Sequence, residues 1–150
     1  MPRAGASVII DRPIEAVFAF LADGENDRSF SDRLIDIRKA TPGPPGEGTV
    51  YVSTAKDMGV KAEHEFRITA FEPPSRIRWT EASKGPITVR DGGYDLAPSG
   101  AGTELTYFND LEGHGIGKPL AGLVARRYGK GAPEFAQRIK AAIETHVPAG

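Results

Sequence analysis

His64 lies on the apolar side of a strongly alternating stretch, AEHEFRITAF at residues 62–71. Glu81 falls on the same side of the strand predicted next along the chain, so the two side chains are a candidate acid–base pair. Burial lowers the pKa of an imidazole unless a carboxylate compensates, which leaves a neutral ring that can accept or donate a proton at about pH 7. The alternative is structural: a histidine at the edge of the core, hydrogen-bonded to backbone.

A second candidate group of polar residues comprises Asp91, Tyr107 and Asn109. A tyrosine hydroxyl can donate to a ligand carbonyl while a nearby carboxylate removes an acidic proton beside it, which is the chemistry of an aldol-type cyclisation. The competing interpretation is that Asp91-Gly92-Gly93 forms a bulge or bend, with the aspartate bonding its own backbone. Catalytic residues are therefore left unassigned.

The first elements that position these residues are a strand and two helices. The run SVII predicts a strand over residues 5–11, and Pro13 behind Asp11 predicts a helix from about residue 13. A second short helix is predicted over residues 25–34, where Phe30 and Leu34 stand one turn apart. Its solvated face is predicted to consist of Asp27, Arg28, Ser31, Asp32 and Arg33.

From residue 35 onward the apolar period changes from helical to alternating. Strands are predicted over residues 35–40, 50–56, 62–71, 76–82, 87–97 and 103–111. Consecutive prolines cannot donate to a strand ladder, so Glu72-Pro73-Pro74-Ser75 is predicted to be the turn of a hairpin. Hairpins in sequence indicate an antiparallel sheet.

The last third of the chain returns to helical spacing. Gly129, Gly131 and Pro133 interrupt that spacing, and proline removes a helical hydrogen bond, so a break or kink is expected between Tyr128 and Pro133. The predicted order is one strand, two helices, about six strands and a long helix. This order is typical of an α+β domain with an antiparallel sheet laid over a C-terminal helix.

The amino-acid composition limits the classes of molecule that the protein is expected to bind. The 150 residues include 19 Lys and Arg against 20 Asp and Glu, and a net charge of −1 gives no field that would attract nucleic acid. The chain has no cysteine, and its three histidines are not at ligand spacing, so neither a metal nor another cofactor is predicted. No segment approaches the roughly 20 apolar residues of a membrane span, so a cytoplasmic protein without stable membrane insertion is expected. We expect a single domain over residues 1–150, as a monomer or homodimer.

The order of elements and four local phrases resemble the START-like, or helix-grip, superfamily (SRPBCC), in particular its polyketide cyclase/dehydrase-like branch. The phrases are RPIEAVFAFLADGEN at 12–26, GEGTVY at 46–51, FRITAFEPPSRIRW at 66–79 and GTELTY at 102–107. The resemblance implies a curved antiparallel sheet wrapped around a long C-terminal helix, with two short helices after the first strand. It also implies an apolar cavity between sheet and helix that holds lipids, polyketides or similar molecules. Two departures are Phe30, where many relatives carry tryptophan, and GKGAP at 129–133.

The alternation and the resemblance together predict the residues that line such a cavity. On the sheet the predicted ligand-binding residues are His64, Phe66, Ile68, Ile77, Trp79, Glu81, Asp91, Tyr107 and Asn109. On the final helix, Leu123 and Tyr128 are predicted to close the cavity, and Val50, Val52 and Thr54 are assigned to the same lining. The alternative is a filled core without a ligand, in which Tyr and Trp reach backbone partners.

Three functions remain open on the sequence. The leading hypothesis is binding of a hydrophobic small molecule in an internal cavity. The second is an enzyme of the polyketide cyclase or dehydratase type that uses His64 with Glu81, or Asp91 with Tyr107. The third is a protein-interaction module like the chaperone-activating members of the same superfamily, which would require a sizeable exposed apolar patch.

Overall fold

The protein is built from one antiparallel sheet and a long C-terminal helix. A computed structural model describes residues 3–57, 59–83 and 85–149. The strands are β1 (Arg3–Ile10), β2 (Leu34–Lys39), β3 (Val50–Asp57), β4 (Val60–Glu72), β5 (Arg76–Glu81), β6 (Ile87–Ser99) and β7 (Gly102–Gly113). The helices are α1 (Ile14–Ala22) and α2 (Ala121–His146), with 3₁₀ helices at Gly24–Ser29 and Gly115–Leu120. The predicted α+β order of elements is confirmed.

The sheet contains seven strands in the spatial order β1-β7-β6-β5-β4-β3-β2. Every neighbouring pair is antiparallel. The chain therefore returns its last strand to the first one, and α2 then crosses the face next to β1 and β7. We call this face of the sheet, which is turned toward α2, the inner face.

The first helix begins where its sequence predicts. Pro13 is the N-cap of α1, and the helix buries Val17, Phe18 and Leu21. The side chain of Asp23 then accepts a hydrogen bond of 3.1 Å from the backbone N–H of Glu25, which starts the first 3₁₀ helix.

The predicted second helix, residues 25–34, is too long. The 3₁₀ helix ends at Ser29, and Leu34 begins β2, where it pairs with Ala55. The Phe30–Leu34 spacing was compatible with one helical turn, but the pairing of Leu34 with another strand decides its conformation. Its predicted solvated face is also wrong in part, because Ser31 is buried and Asp27 is partly buried.

The β4–β5 hairpin is confirmed. Its turn holds a cis Pro73–Pro74 peptide, and the Ser75 N–H donates to the Glu72 carbonyl over 2.8 Å. In the hairpin register Ile68 lies opposite Trp79. The alternation holds on β4 as far as Ile68; the register then shifts before Ala70, so that Phe71 pairs with Ile77.

The assignment of β3 to the inner face was wrong by one residue. Tyr51, Ser53 and Ala55 are buried, whereas Val50, Val52 and Thr54, the residues predicted to line the cavity, are only partly buried. Tyr51 and Ser53 pair with Phe66 and His64, so they share their face. A one-residue slip moves every side chain to the other face, and the β-branched residues of β3 lie on its outer side.

The helix α2 runs without a break through residues 129–133, contrary to the break expected there. A proline removes only one helical hydrogen bond, and the helix is held by packing on both sides of that point. Ala125, Ala132 and Ala136 are buried before and after Pro133, and Ile139 and Ile143 are buried further along. Within the described ranges, no helix combines the length and hydropathy that crossing a bilayer requires.

Candidate functional site

The inner face of the sheet has two halves that differ in how completely they are covered. We call the first the sealed half: Ile10, Leu105, Ile139 and Ile143 are each 0% exposed, and they join β1 and β7 to the C-terminal half of α2. We call the second the open half: His64, Phe66, Trp79 and Asn109, on β4, β5 and β7, all keep partial exposure. The long helix packs mainly against β1 and next against β7. It therefore leaves the inner face of β4 and β5 less covered.

His64 and Glu81 meet in the open half, as their positions in the sequence predicted. The His64 Nδ1 lies 2.7 Å from the Glu81 Oε2, and the other oxygen of that carboxylate accepts the Val89 N–H over 2.9 Å. The Glu81 side chain is 4% exposed and the His64 side chain is 25% exposed. Glu81 is thus an anchored acceptor that orients the imidazole, and His64 is the more exposed member of the pair.

Trp79 and Asn109 form the aromatic wall beside that pair. The Trp79 Nε1 donates to the Asn109 Oδ1 over 3.1 Å, which fixes the indole on the inner face. Tyr94 stands edge-on to the same indole, with ring centroids 4.9 Å apart. Gly92 leaves room for this arrangement, because a Cβ there would lie 2.3 Å from the Trp79 Nε1.

The floor between the two halves is apolar and aromatic. Ile68 and Ile77 are buried there. Tyr51, which pairs with Phe66 across β3 and β4, is buried as well. Tyr107 lies 5.2 Å from the Phe135 ring of α2, and burial raises the pKa of its hydroxyl to about 12. The hydroxyl donates to the Ala132 carbonyl over 3.4 Å, so Tyr107 links the sheet to the helix and keeps its proton over the physiological range.

Asp91 does not join Tyr107, so the predicted Asp91–Tyr107 pair is wrong. The strand register shifts between Val89 and Asp91, just before the Asp91-Gly92-Gly93 segment where the alternative interpretation expected a bulge or bend, and these three residues pair regularly with β7. Beyond the bulge Asp91 pairs with Asp110, whereas Gly92 pairs with Asn109. Successive residues of a strand point to opposite faces, so Asp91 lies on the outer face.

Leu123 and Tyr128 do not close the inner space, which corrects their predicted role. Leu123 is 63% exposed and Tyr128 is 41% exposed. The Tyr128 hydroxyl instead accepts a hydrogen bond of 3.2 Å from Arg33, whose guanidinium also lies 5.2 Å from the ring centroid. The helix buries a stripe of small alanines, so the larger apolar side chains of its first turns face outward.

Asp27 is the polar residue of this region that the sequence analysis placed on the wrong side. Desolvation by burial, and to a smaller extent the charge of Asp23, raises the pKa of its carboxyl from 3.8 to about 8. Burial, and after it the charge of Asp27, raises the pKa of Tyr94. Burial also raises the pKa of Tyr51, to which the charges of Asp23 and Asp27 add. The Asp27 side chain projects from the side of the 3₁₀ helix on which Gly24 faces Tyr51. The signal in the sequence is the three-residue spacing from Gly24, which places both on one face of a 3₁₀ helix.

An open cleft also exists beside the last turns of α2. It measures about 390 Å³ and lies between residues 28–32 and the C-terminal part of α2, with Arg28, Asp32, Arg138 and His146 in its lining. None of the predicted ligand-binding residues contributes to it. Among the described residues, no three His, Asp or Glu side chains are placed to hold a metal ion.

Comparison with known proteins places this architecture among previously observed folds. A protein of Thermus thermophilus has the same fold with a TM-score of 0.80 at 18% identity, covering 98% of this chain and 100% of its own. A START superfamily protein of Mycobacterium smegmatis matches with a TM-score of 0.75 at 13% identity, over 95% of this chain and 97% of its own. The Zhui aromatase/cyclase of a Streptomyces species matches with a TM-score of 0.70 at 17% identity, over 98% and 96%. The predicted helix-grip fold is thereby confirmed.

Sequence comparison gives the family. Two uncharacterized proteins from Mycobacterium tuberculosis strains are 30% identical over 95 residues, which is 59% of this chain and 62% of each relative. The chain thus spans less than two thirds of the length of these relatives. The family model described as polyketide cyclase/dehydrase and lipid transport matches residues 1–144. The chain belongs to the polyketide cyclase/dehydrase and lipid transport family.

Proposed function

We propose that the protein binds a hydrophobic small molecule against the open half of the inner face, between the sheet and α2. The observation that carries this proposal is the contrast in coverage along one continuous face. The aliphatic side chains of the sealed half are completely buried, whereas Phe66 and Trp79, which are large and apolar, keep part of their surface accessible. Covering such surface with an apolar ligand is favourable by about 25 cal/mol for each Å² removed from water.

The polar groups of the open half suit ligand binding better than a filled core. Small-molecule sites are mostly apolar, with a few convergent polar groups that set the orientation of the ligand. His64 and Asn109 supply such groups, and both are held in place by hydrogen bonds to Glu81 and Trp79. Because these side chains are already ordered, a ligand would lose little free energy in ordering them.

Trp79 makes the proposal directly testable because it is the single tryptophan of the chain. Titration with apolar aromatic and fatty-acyl compounds should shift or quench its fluorescence in a saturable way. Native mass spectrometry of the protein purified from its own host should show a bound hydrophobic molecule. A matched pair of variants locates the site: Phe66→Ala should weaken binding, whereas Leu123→Ala, on the exposed face of α2, should not. Absence of saturable binding and of any co-purified molecule would refute the proposal.

A second candidate function is acid–base catalysis on the bound molecule, and the His64–Glu81 pair favours it. A carboxylate that bonds Nδ1 fixes the ring orientation and stabilises the imidazolium, so the other ring nitrogen can exchange a proton with a ligand. The 2.7 Å contact and the burial of Glu81 meet this requirement. Removal of a proton next to a ligand carbonyl is the corresponding elementary step.

Deuterium exchange separates binding from catalysis. An aromatic β-diketone bound to the protein in heavy water should exchange its acidic C–H faster than in buffer, and His64→Gln should lower that rate by about a hundredfold or more. Glu81→Gln should lower it as well, because the ring loses its orienting carboxylate. If the diketone binds but exchanges at the rate measured in buffer, the protein is a binder and not an acid–base enzyme of this kind.

A further inference from the structure

Trp79, Gly92 and Asn109 lie side by side across three neighbouring strands. Trp79 of β5 pairs with Gly92 of β6, and Gly92 pairs in turn with Asn109 of β7. A Cβ at Gly92 would lie 2.3 Å from the Trp79 Nε1 and 2.4 Å from the Asn109 Oδ1. The two side chains therefore meet over the glycine, and a larger residue at position 92 would separate them.

The hydrogen bond between these two side chains decides which way the Asn109 amide points. An indole nitrogen carries a hydrogen and can only donate, so the atom that lies 3.1 Å from the Trp79 Nε1 must be the amide oxygen and not the NH₂ group. Turning the amide around would bring two donors face to face. Asn109 is therefore held with its oxygen toward the indole and its NH₂ group turned away from the indole nitrogen.

The Asn109 NH₂ group has no protein acceptor in the part of the chain that the structure describes. The side-chain hydrogen bond of Asn109 there is the one that its oxygen accepts. In the same ranges, every completely buried side-chain nitrogen or oxygen has a hydrogen-bond partner. Asn109 as a whole is only partly buried. Its NH₂ group must therefore border space that solvent or a ligand can reach.

The surface beside this amide is aromatic. The Trp79 indole is bonded to Asn109, and Tyr94 stands edge-on to that indole, with ring centroids 4.9 Å apart. Tyr107, two residues before Asn109 on β7 and on the same face, donates its hydroxyl hydrogen to the Ala132 carbonyl over 3.4 Å. Aromatic surface with an oriented polar group at its edge is a combination that binds and orients an apolar molecule.

We propose that Asn109 selects hydrophobic ligands that carry an acceptor oxygen, such as that of a ketone, where they meet Trp79. The proposal rests on the proposed binding function and names the chemistry of the ligand at this point. The fixed NH₂ group offers two donors and no acceptor, so it can bond a carbonyl oxygen while the apolar part of the ligand lies against the indole. A ligand with an N–H at this point would oppose the NH₂ group and leave it unpaired. Because the amide is oriented before the ligand arrives, binding costs little free energy of ordering.

Two pairs of compounds test the polarity of this group in the wild-type protein. Acetylnaphthalene carries a carbonyl that ethylnaphthalene lacks, and indole carries an N–H donor that indene lacks. Calorimetric titration should show the ketone binding roughly tenfold more tightly than ethylnaphthalene, which is the worth of about one good hydrogen bond. Indole should bind no more tightly than indene. An advantage of indole as large as that of the ketone would overturn the assigned polarity.

Substitutions at Asn109 should change these preferences in opposite directions. Asn109→Asp has the same shape and can still accept from Trp79, but at about pH 8 its ionised carboxylate can only accept, so the ketone should lose its advantage and indole should gain one over indene. Asn109→Leu should abolish both preferences. Binding of ethylnaphthalene, which forms no hydrogen bond, reports whether each variant retains the site.

Trp79→Phe tests the positioning of the amide separately. It removes the donor that holds the Asn109 oxygen, so the amide can turn and the advantage of the ketone should shrink although residue 109 is unchanged. A ketone advantage that persists in both Asn109→Asp and Asn109→Leu, or equal binding of ketone and hydrocarbon by the wild type, would overturn the role of Asn109 while leaving the binding function intact. Failure of all four compounds to bind the wild type would count against the binding function itself.

Discussion

The sealed and open halves of the inner face belong to one sheet but differ in how their side chains are covered. In the sealed half, Ile10 and Leu105 meet Ile139 and Ile143 without any exposed surface. In the open half, Trp79 is partly exposed and bonded to a polar side chain, and His64 is bonded to a buried carboxylate. Aliphatic residues that fill all available volume provide stability, and ordered aromatic and polar residues with accessible surface provide recognition.

The position of α2 explains why the two halves differ. The helix packs mainly on β1 and next on β7, and it approaches them through alanines such as Ala132 and Ala136. Small side chains allow helix and sheet to lie close together, so the covered strands become completely buried. The strands β4 and β5 lie further from the helix in the order of the sheet, and their inner residues are left for another partner. The comparison thus predicts that substitutions in the two halves have different consequences.

The largest expected effect belongs to the sealed half. Ile139→Ala removes apolar volume at a position with 0% exposure, and the free energy of unfolding should fall by about 3 to 4 kcal/mol. Urea denaturation measures this loss. Phe66→Ala deletes a larger side chain but should cost less, since part of that ring is already in contact with solvent. If Phe66→Ala were the more damaging of the two, the open half would be core and the comparison would be wrong.

The next effect belongs to Asp27 on the first 3₁₀ helix and depends on pH. The Asp27 carboxyl has an ordinary pKa of 3.8 in the unfolded chain and about 8 in the fold, so the folded state binds more protons between these values. Its contribution to stability is then fully present below about pH 4 and is lost as the pH rises through about 8. Asp27→Asn lacks this titration. Between pH 5 and 8 the wild type should lose on the order of 3 kcal/mol relative to the variant, because one proton is worth at most about 1.4 kcal/mol per pH unit.

Paired denaturation curves of wild type and Asp27→Asn across that pH range isolate the effect, because all other titrating groups are shared. The difference between the two proteins should be small at acid pH and should stop growing above the folded-state pKa. A constant difference at every pH would mean that Asp27 titrates normally and reaches solvent.

Glu81 bonds both His64 and the backbone of β6, and its removal should have an intermediate effect. Glu81→Ala leaves the Val89 N–H without its acceptor and His64 without its partner, and the unfolding free energy should fall by about 2 kcal/mol. His64→Ala removes the more exposed member and should cost about half as much. If the two variants cost the same and a double variant costs no more, the contribution of Glu81 resides entirely in its contact with His64.

The sequence predicted those structural features that depend on local pattern. It did not predict those that depend on packing against residues far away in the chain. The hairpin that places Ile68 opposite Trp79, and the meeting of His64 with Glu81, follow from alternation and a proline turn, and both were predicted. The register of β3 was not predicted correctly. Either of two alternating sets, the valines or Tyr51 with Ser53, could have faced inward on the sequence alone. The partner strand and the bond from Gly24 to the Tyr51 hydroxyl decide between the two sets.

The errors on α2 and at Asp27 share another cause. The larger side chains Leu123 and Tyr128 were assigned to the buried face, but the residues that the N-terminal half of the helix buries are alanines. Asp27 was assigned to solvent because acidic residues are seldom buried. Its burial depends on a short 3₁₀ helix that directs one side inward, and the sequence favoured an α-helix there, with a different face.

The smallest expected effect tests the outer surface of α2. Leu123 is 63% exposed, so Leu123→Ser should change the unfolding free energy by no more than about 0.5 kcal/mol and should leave ligand binding at Trp79 unchanged. Val124, the next residue, is partly buried and provides the matched control, because Val124→Ser places a hydroxyl nearer the sheet and should cost more. If Leu123→Ser instead weakened binding, α2 would move inward when the ligand binds. The open half would then be a cleft that the helix closes, rather than a surface that the helix leaves uncovered.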